Sequence, residues 1–381
     1  MSNAIAALNY ATLDDAVATL GSTATTLTIS TALSVAMNTT VPSTLTLEFT
    51  GSGSLVIPNG VTLTINGSIK APLTTIFTIP GTGVLRLGPR CSAKLYPQWW
   101  GAKADGIADD QGAIQAALDI AANGHTNGAS SIVFLPAGNY VISSRLKVPP
   151  GVSLIGQGLE GSVIIPTSCD AITMWGSDWA GGFALRNIIR GIQVDMVNAS
   201  SNVAVNINTG YMIKIEDCMF WNCGAGGIVM ASTATNCTIW HTTVTGLDAA
   251  TGTGISISGS SSVNFFDVDV EAFQDGIHCT GGFTYGFFGL YMERNSSRGL
   301  VLDACQGCTI QGAVLNTPNG TSPNAIALIN GTVKTVILGG TYSTQASPAP
   351  TIAIFDSGGS ATNYVLKAFV NGGISAGVTV I

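Results

Sequence analysis

Acidic residues are scarce in this chain, and four of them fall where they can act together. Asp267, Asp269 and Glu271 alternate with Val268 and Val270, and Glu293 follows in Leu290-Tyr291-Met292-Glu293-Arg294. Such alternation is strand periodicity, with every second side chain on one face. With Val268 and Val270 turned inward, the three acids face outward; with Leu290 and Met292 inward, so do Tyr291 and Glu293. If the two segments stack as neighbouring strands, Glu271 and Glu293 stand at equivalent positions about 5 Å apart. Carboxylates at about 5–5.5 Å suit a retaining glycosidase, and at about 6.5–9.5 Å an inverting one. Crowding like charges raises one pKa, as a general acid requires. The plainer reading of the same residues is a solvated acidic face or a contact between subunits.

Residues around these acids suit sugar. Trp221 and Tyr291 on the same face can stack on pyranose rings, His241 belongs to a preceding turn of that face, and Arg294 and Arg298 can pair with uronate or sialate groups. Trp175 and Trp179 project from Trp175-Gly176-Ser177-Asp178-Trp179, a glycine-rich stretch. A loop of this kind cradles a sugar or packs over the wall of the fold. His241 and His278 are more often hydrogen-bonded structural residues than catalysts. Hydrolysis needs two carboxylates and no cofactor. Lyase chemistry would need a base with a neutralising group, for which Arg294 with Asp267 and Asp269 is the candidate set. A binding spike needs the aromatics and the acidic face but no turnover.

Composition narrows the class of protein that could carry such a site. Of 381 residues only 9% are charged, against about 25% in ordinary domains. The balance is acidic, with net charge −7 and no basic cluster, which argues against nucleic acid as a partner. At 46% hydrophobic the chain is too apolar for disorder. No run approaches the roughly 20 apolar residues of a membrane helix. Eight cysteines in so long a chain read as buried thiols of a protein folding in a reducing cytosol. Cys305-Gln-Gly-Cys308 has no second pair at zinc spacing, so no metal is expected. The first twenty residues lack the basic start and apolar stretch of a secretory signal.

The elements that must position the acids repeat. An apolar strand preceded by glycine or another small residue recurs as GGIVM, TGISI, DGIHC, RGLVL, NAIAL and PTIAI, aligned on Ile228, Ile255, Ile277, Leu300, Ile326 and Ile352 every 22 to 27 residues. A second series, with turn-like Asp217, His241, Asp267, Gly289, Gly312 and Gly339, runs out of phase with the first at the same period. Two interleaved series rich in Thr, Val, Ile, Phe and Gly predict an all-β chain, a single-stranded parallel β-helix whose backbone pairing runs from turn to turn. Asp109–Asp119 is the clearest helix, with Ile114, Ala117, Leu118 and Ala121 as its apolar stripe, extending over 109–122 to Asn123-Gly124. It suits a cap over an open core end, with Trp99-Trp100 beneath it. Asp105, Asp109 and Asp110 read as turn and cap residues. The chain divides into a β-rich segment 1–95, a segment 96–160 with the helix and first turns, and a body over 161–381.

Three stretches carry a family resemblance: Tyr96–Ala117 (YPQWWGAKADGIADDQGAIQAA), Val133–Tyr140 (VFLPAGNY) and Val152–Gly158 (VSLIGQG). They resemble the opening of pectate-lyase-superfamily β-helices of the kind common in bacteriophage tailspikes and capsule depolymerases. Gly289–Asn295 resembles a tyrosine–glutamate–asparagine turn of such tailspikes. The resemblance implies a right-handed β-helix, a homotrimer, and binding or cleavage of bacterial surface polysaccharide by a phage tail protein assembled in the bacterial cytoplasm. A secreted bacterial enzyme is the alternative. The resemblance does not identify catalytic residues.

Overall fold

A computed structural model describes residues 4–88, 91–127, 132–179, 184–247, 251–317, 324–344, 352–357, 362–366, 368–371, 373–375 and 378–380. The fold is a parallel β-solenoid: strands pair in parallel from one turn to a later one, as with Leu27 opposite Leu47 and Leu63 opposite Leu85. The chain forms two compact units, Met1–Tyr140 with Gly151–Ile155, and Val141–Pro150 with Gly156–Ile381.

In the first unit three small parallel sheets hold Leu27, Leu47, Leu55 and Leu63 fully buried. Two helices accompany them. α1 (Leu13–Leu20) was not foreseen from the sequence. Thr12 caps it by accepting from Asp15 N at 3.2 Å, Asp14 and Asp15 occupy its first turn, and Gly21 ends it at φ 56°. That Thr-Leu-Asp-Asp start is a capping signal in plain view, but eight residues are too few for periodicity to stand out. α2 spans Gln111–Asn127, beyond the Asn123-Gly124 stop that the sequence suggests. Its expected stripe, Ile114, Ala117, Leu118 and Ala121, is fully buried. Asp110 is itself buried and accepts from Lys103 N and Ala104 N, so its side chain closes the preceding turn instead of capping the helix.

In the second unit each turn supplies three strand positions, forming stacks A, B and C. Stack C is the first apolar series: Ile228, Ile255, Ile277, Leu300 and Ile326 stand in one buried column. Its next member is Ile354, not Ile352, so that turn is two residues longer than the sequence alignment implied. Stacks A and B are the two halves of the second series. Between them sits a single residue in the left-handed region: Asp217, His241, Asp267, Gly289, Gly312 and Gly339 all have φ between 47° and 67°.

Glycine at the start of stack C strands has a packing cause. A Cβ on Gly227 would lie 2.1 Å from Val244, and one on Gly254 2.4 Å from Val270, because stack C presses directly on the inner face of stack B. Val270 lies between Asp269 and Glu271, so this contact also seats the acids. Gly254→Ala is expected to lower the thermal unfolding midpoint, at a cost of about 1–3 kcal/mol from overpacking. Thermal melts of this variant, compared with an Ala substitution at Gly112, where a Cβ meets nothing within 4 Å and the backbone is not left-handed, separate this clash from the general effect of replacing glycine.

Candidate functional site

Register brings the predicted acids together. Val270 pairs with Met292 inside the wall, while on its outer side Asp269 stands opposite Tyr291 and Glu271 opposite Glu293. The outer column therefore reads Met219, Thr243, Asp269, Tyr291, Val314 along stack B. Trp221 is exposed two residues after Met219, two turns before Glu271, as expected.

Two partners organise the cluster. Arg294, at a left-handed corner of φ 57°, donates through Nη2 to Glu271 Oε2 at 2.6 Å and through Nε to the same oxygen at 3.2 Å. Tyr291 Oη donates to Glu293 Oε2 at 2.8 Å, which raises the tyrosine's own pKa. Asp269 lies deeper, and no donor among the described residues reaches its Oδ1. Burial first, then the charge and hydrogen bond of Glu271, then the charge of Glu293, push Asp269 up to about 7, against a smaller opposing pull from Arg294. The raised acid foreseen for the glutamate pair thus falls on their neighbour.

Asp267 stands at the corner, its Oδ1 lying where a Cβ on Gly289 would come within 2.5 Å. With Gly289 at φ 67°, a side chain there would be strained as well as crowded. One turn before, His241 Nδ1 bonds Asp217 Oδ1 at 2.8 Å, a structural pairing on the same edge. Asn295, the last residue of the tyrosine–glutamate–asparagine turn, is fully buried: its Nδ2 donates to Val270 O and its Oδ1 accepts from Phe273 N. It fixes the strand that carries the acids and takes no part at the surface.

Other expected residues lie elsewhere. Arg298 belongs to stack C, opposite Asp275, and its guanidinium forks onto that carboxylate. Trp175 and Trp179 follow the stack C strand Ile172–Met174. Trp175 lies under the Arg145 guanidinium at 3.8 Å, and Arg145 in turn pairs with Asp178. Both indoles are half-buried in the wall, the packing alternative considered for them. The glycines at 181 and 182 lie outside the described residues.

An aromatic ladder escaped the sequence reading. Trp240, Phe266 and Phe288 are consecutive in one stack A column, and Phe266 and Phe288 stack at 5.0 Å and 12°. Trp240 is 45% exposed and Phe266 37%. Strict alternation counted back from Val270 turns Phe266 inward. The left-handed residue Asp267 inverts the phase, so Phe266 and Asp267 both face outward. The turn-like residues of the second series were the available signal.

Comparison with known proteins places residues 99–173 in a match to a family model described as rhamnogalacturonase A/epimerase, pectate lyase-like. The chain is 48% identical over 58 residues to a non-secreted LysM effector, LysM19, of Penicillium expansum, a stretch that is 15% of this chain and 4% of that protein. The chain thus spans a small fraction of the curated relative it matches. Among solved structures, a DFA-IIIase from Arthrobacter chlorophenolicus superposes with a TM-score of 0.52 and 10% identity, over 75% of this chain and 89% of the other. A Geobacillus virus E2 protein, ORF18, superposes with a TM-score of 0.47 and 16% identity, over 67% and 58%. The Arthrobacter likeness is one of fold alone.

Asp269 also predicts a pH response. Its folded pKa lies above its unfolded value of 3.8, so the folded state binds the extra proton between the two. Its stabilising contribution is complete below about pH 4 and is lost as pH rises through about 7. The difference in unfolding midpoint between the protein and Asp269→Asn, followed from pH 4 to 9, is expected to move against the wild type as pH rises and to level off above about 7. A flat difference would show that the carboxyl titrates in its ordinary range.

Proposed function

We propose that this protein depolymerises a bacterial surface polysaccharide by hydrolysing its glycosidic bonds, as a homotrimeric, tailspike-like component of a phage particle. The observation that carries the chemistry is Asp269, an acid pushed up to about 7 beside two further carboxylates on an outward strand face. A carboxyl that still holds its proton near neutrality can give it to a departing glycosidic oxygen. Glu293 supplies the opposing carboxylate, with Tyr291 Oη–H fixing its orientation. Asp269 and Glu293 are diagonal neighbours, one strand across and two residues along, which puts their backbones about 8 Å apart. A carboxyl separation of the same size would leave room for water and suit inversion. Glu271, braced by Arg294, acts on Asp269 as a positioning residue by raising its pKa. Trp240 and Phe266 in one stack, with Trp221 and Tyr291 in the other, offer exposed aromatic surface to a sugar chain.

The phage setting draws support from the tailspike-like opening of Tyr96–Ala117 and from the eight cysteines, all free thiols, which suit assembly in a reducing cytosol. Lyase chemistry draws less: Arg294, its candidate base, is bound to Glu271.

The test is product analysis on a panel of bacterial surface polysaccharides. New reducing ends without the ultraviolet absorbance of unsaturated uronates are expected. Asp269→Asn and Glu293→Gln should each lower turnover by at least about 100-fold with glycan binding retained. Glu271→Gln should instead shift the alkaline limb of the rate profile to lower pH, since it removes charge that holds the Asp269 proton. Unsaturated products would establish a lyase; binding without cleavage would establish a binding spike.

A further inference from the structure

The charges around the cluster limit what sugar can lie there. We infer that the site selects glycans bearing no carboxylate, sulfate or phosphate on the residues that cross it, an inference that rests on the carboxylate cluster being the sugar-contacting surface. Asp269, Glu271 and Glu293 share the outer face of stack B, and Asp217 and Asp267 line the corner beside it.

Among the described residues, the basic groups near them already face acids. Arg294 is bidentate on the Glu271 oxygen and 3.9 Å from Glu293, and His241 bonds Asp217. On the preceding turns Arg190 and Lys214 sit 4.0 and 3.7 Å from Glu216. Arg298, the other cation that could neutralise a uronate, is on stack C with Asp275. An acidic substituent over Asp269 would therefore meet uncompensated negative charge well inside the screening length of about 8 Å at physiological salt. A neutral or N-acylated sugar meets hydrogen-bond acceptors and, one stack away, the apolar outer edge of the stacked Phe266 and Phe288 rings. The ladder follows the turns at about 4.8 Å spacing, comparable to the length of a pyranose ring, so the chain lies along the solenoid axis.

The full chain should be applied to an array of immobilised bacterial polysaccharides, with each uronate-containing polymer also present after carbodiimide–borohydride reduction of its carboxyl groups. Retention and reducing-end release are read at low and physiological ionic strength, for the wild type and for Glu293→Gln. The expected result is that all strongly retained polymers are neutral, and that any reduced polymer that binds does so at least about tenfold better than its acidic parent. Glu293→Gln or added salt should narrow that gap. Retention of acidic parents at or above their reduced forms overturns the inference, and if they are also cleaved the hydrolytic reading stands without it. Neutral polymers retained but never cleaved leave the charge selection standing and remove the hydrolysis. Retention of no polymer at all overturns both.

Discussion

A single residue in left-handed backbone conformation, repeated once per turn, governs the working face of this protein. At Asp217, His241, Asp267 and Gly289 the chain bends from stack A to stack B without a loop. One such residue does two things. It changes strand direction within a single peptide, and it inverts the in-out alternation, so that its own side chain and the one before it both point to solvent. Parallel pairing then copies the bend from turn to turn, because each strand takes its backbone partners from the turn before. Columns of like positions follow: aromatic on one side of the bend, acidic on the other. Non-glycine residues adopt this conformation at a cost, and the Asp217–His241 hydrogen bond shows one way the edge holds them there.

The electrostatics of the site follow from that columnar order. Carboxylates on one strand two residues apart, and on neighbouring strands in register, cannot separate without breaking the pairing that stabilises the solenoid. Their repulsion is relieved in two ways. Arg294, held at its own left-handed corner, takes Glu271; Asp269 keeps its proton to higher pH, because burial and the charge of both glutamates disfavour its ionised form. Beneath them Asn295 satisfies Val270 O and Phe273 N, and Gly254 lets stack C close on Val270. The acids are thus carried on a rigid strand packed from behind, as a preorganised site requires.

Much of this was legible in the residue string. The apolar series that became stack C, the stripe of α2 and the pairing of Glu271 with Glu293 all follow from period and alternation, which are local properties copied by every turn. The family-like opening at Tyr96–Ala117 pointed to the same fold, and residues 99–173 match a pectate lyase-like family model. Where the repeat changed length, alignment failed: Ile354, not Ile352, completes the stack C column. α1 went unseen because a short amphipathic helix has too few turns to compete with the strand pattern around it.

By itself the sequence determined the solenoid, its period and the grouping of acids on one outward face, since spacing alone decides which residues recur on which side of a strand. The tertiary structure decided which acid keeps a proton, because that depends on burial depth and on where Arg294 reaches. It sent Arg298 and the tryptophans at 175 and 179 to other parts of the wall, because the turn count between two strands sets the stack to which a residue belongs. It also turned Phe266 outward, because the sign of one backbone dihedral at Asp267 reverses a phase that alternation alone cannot read.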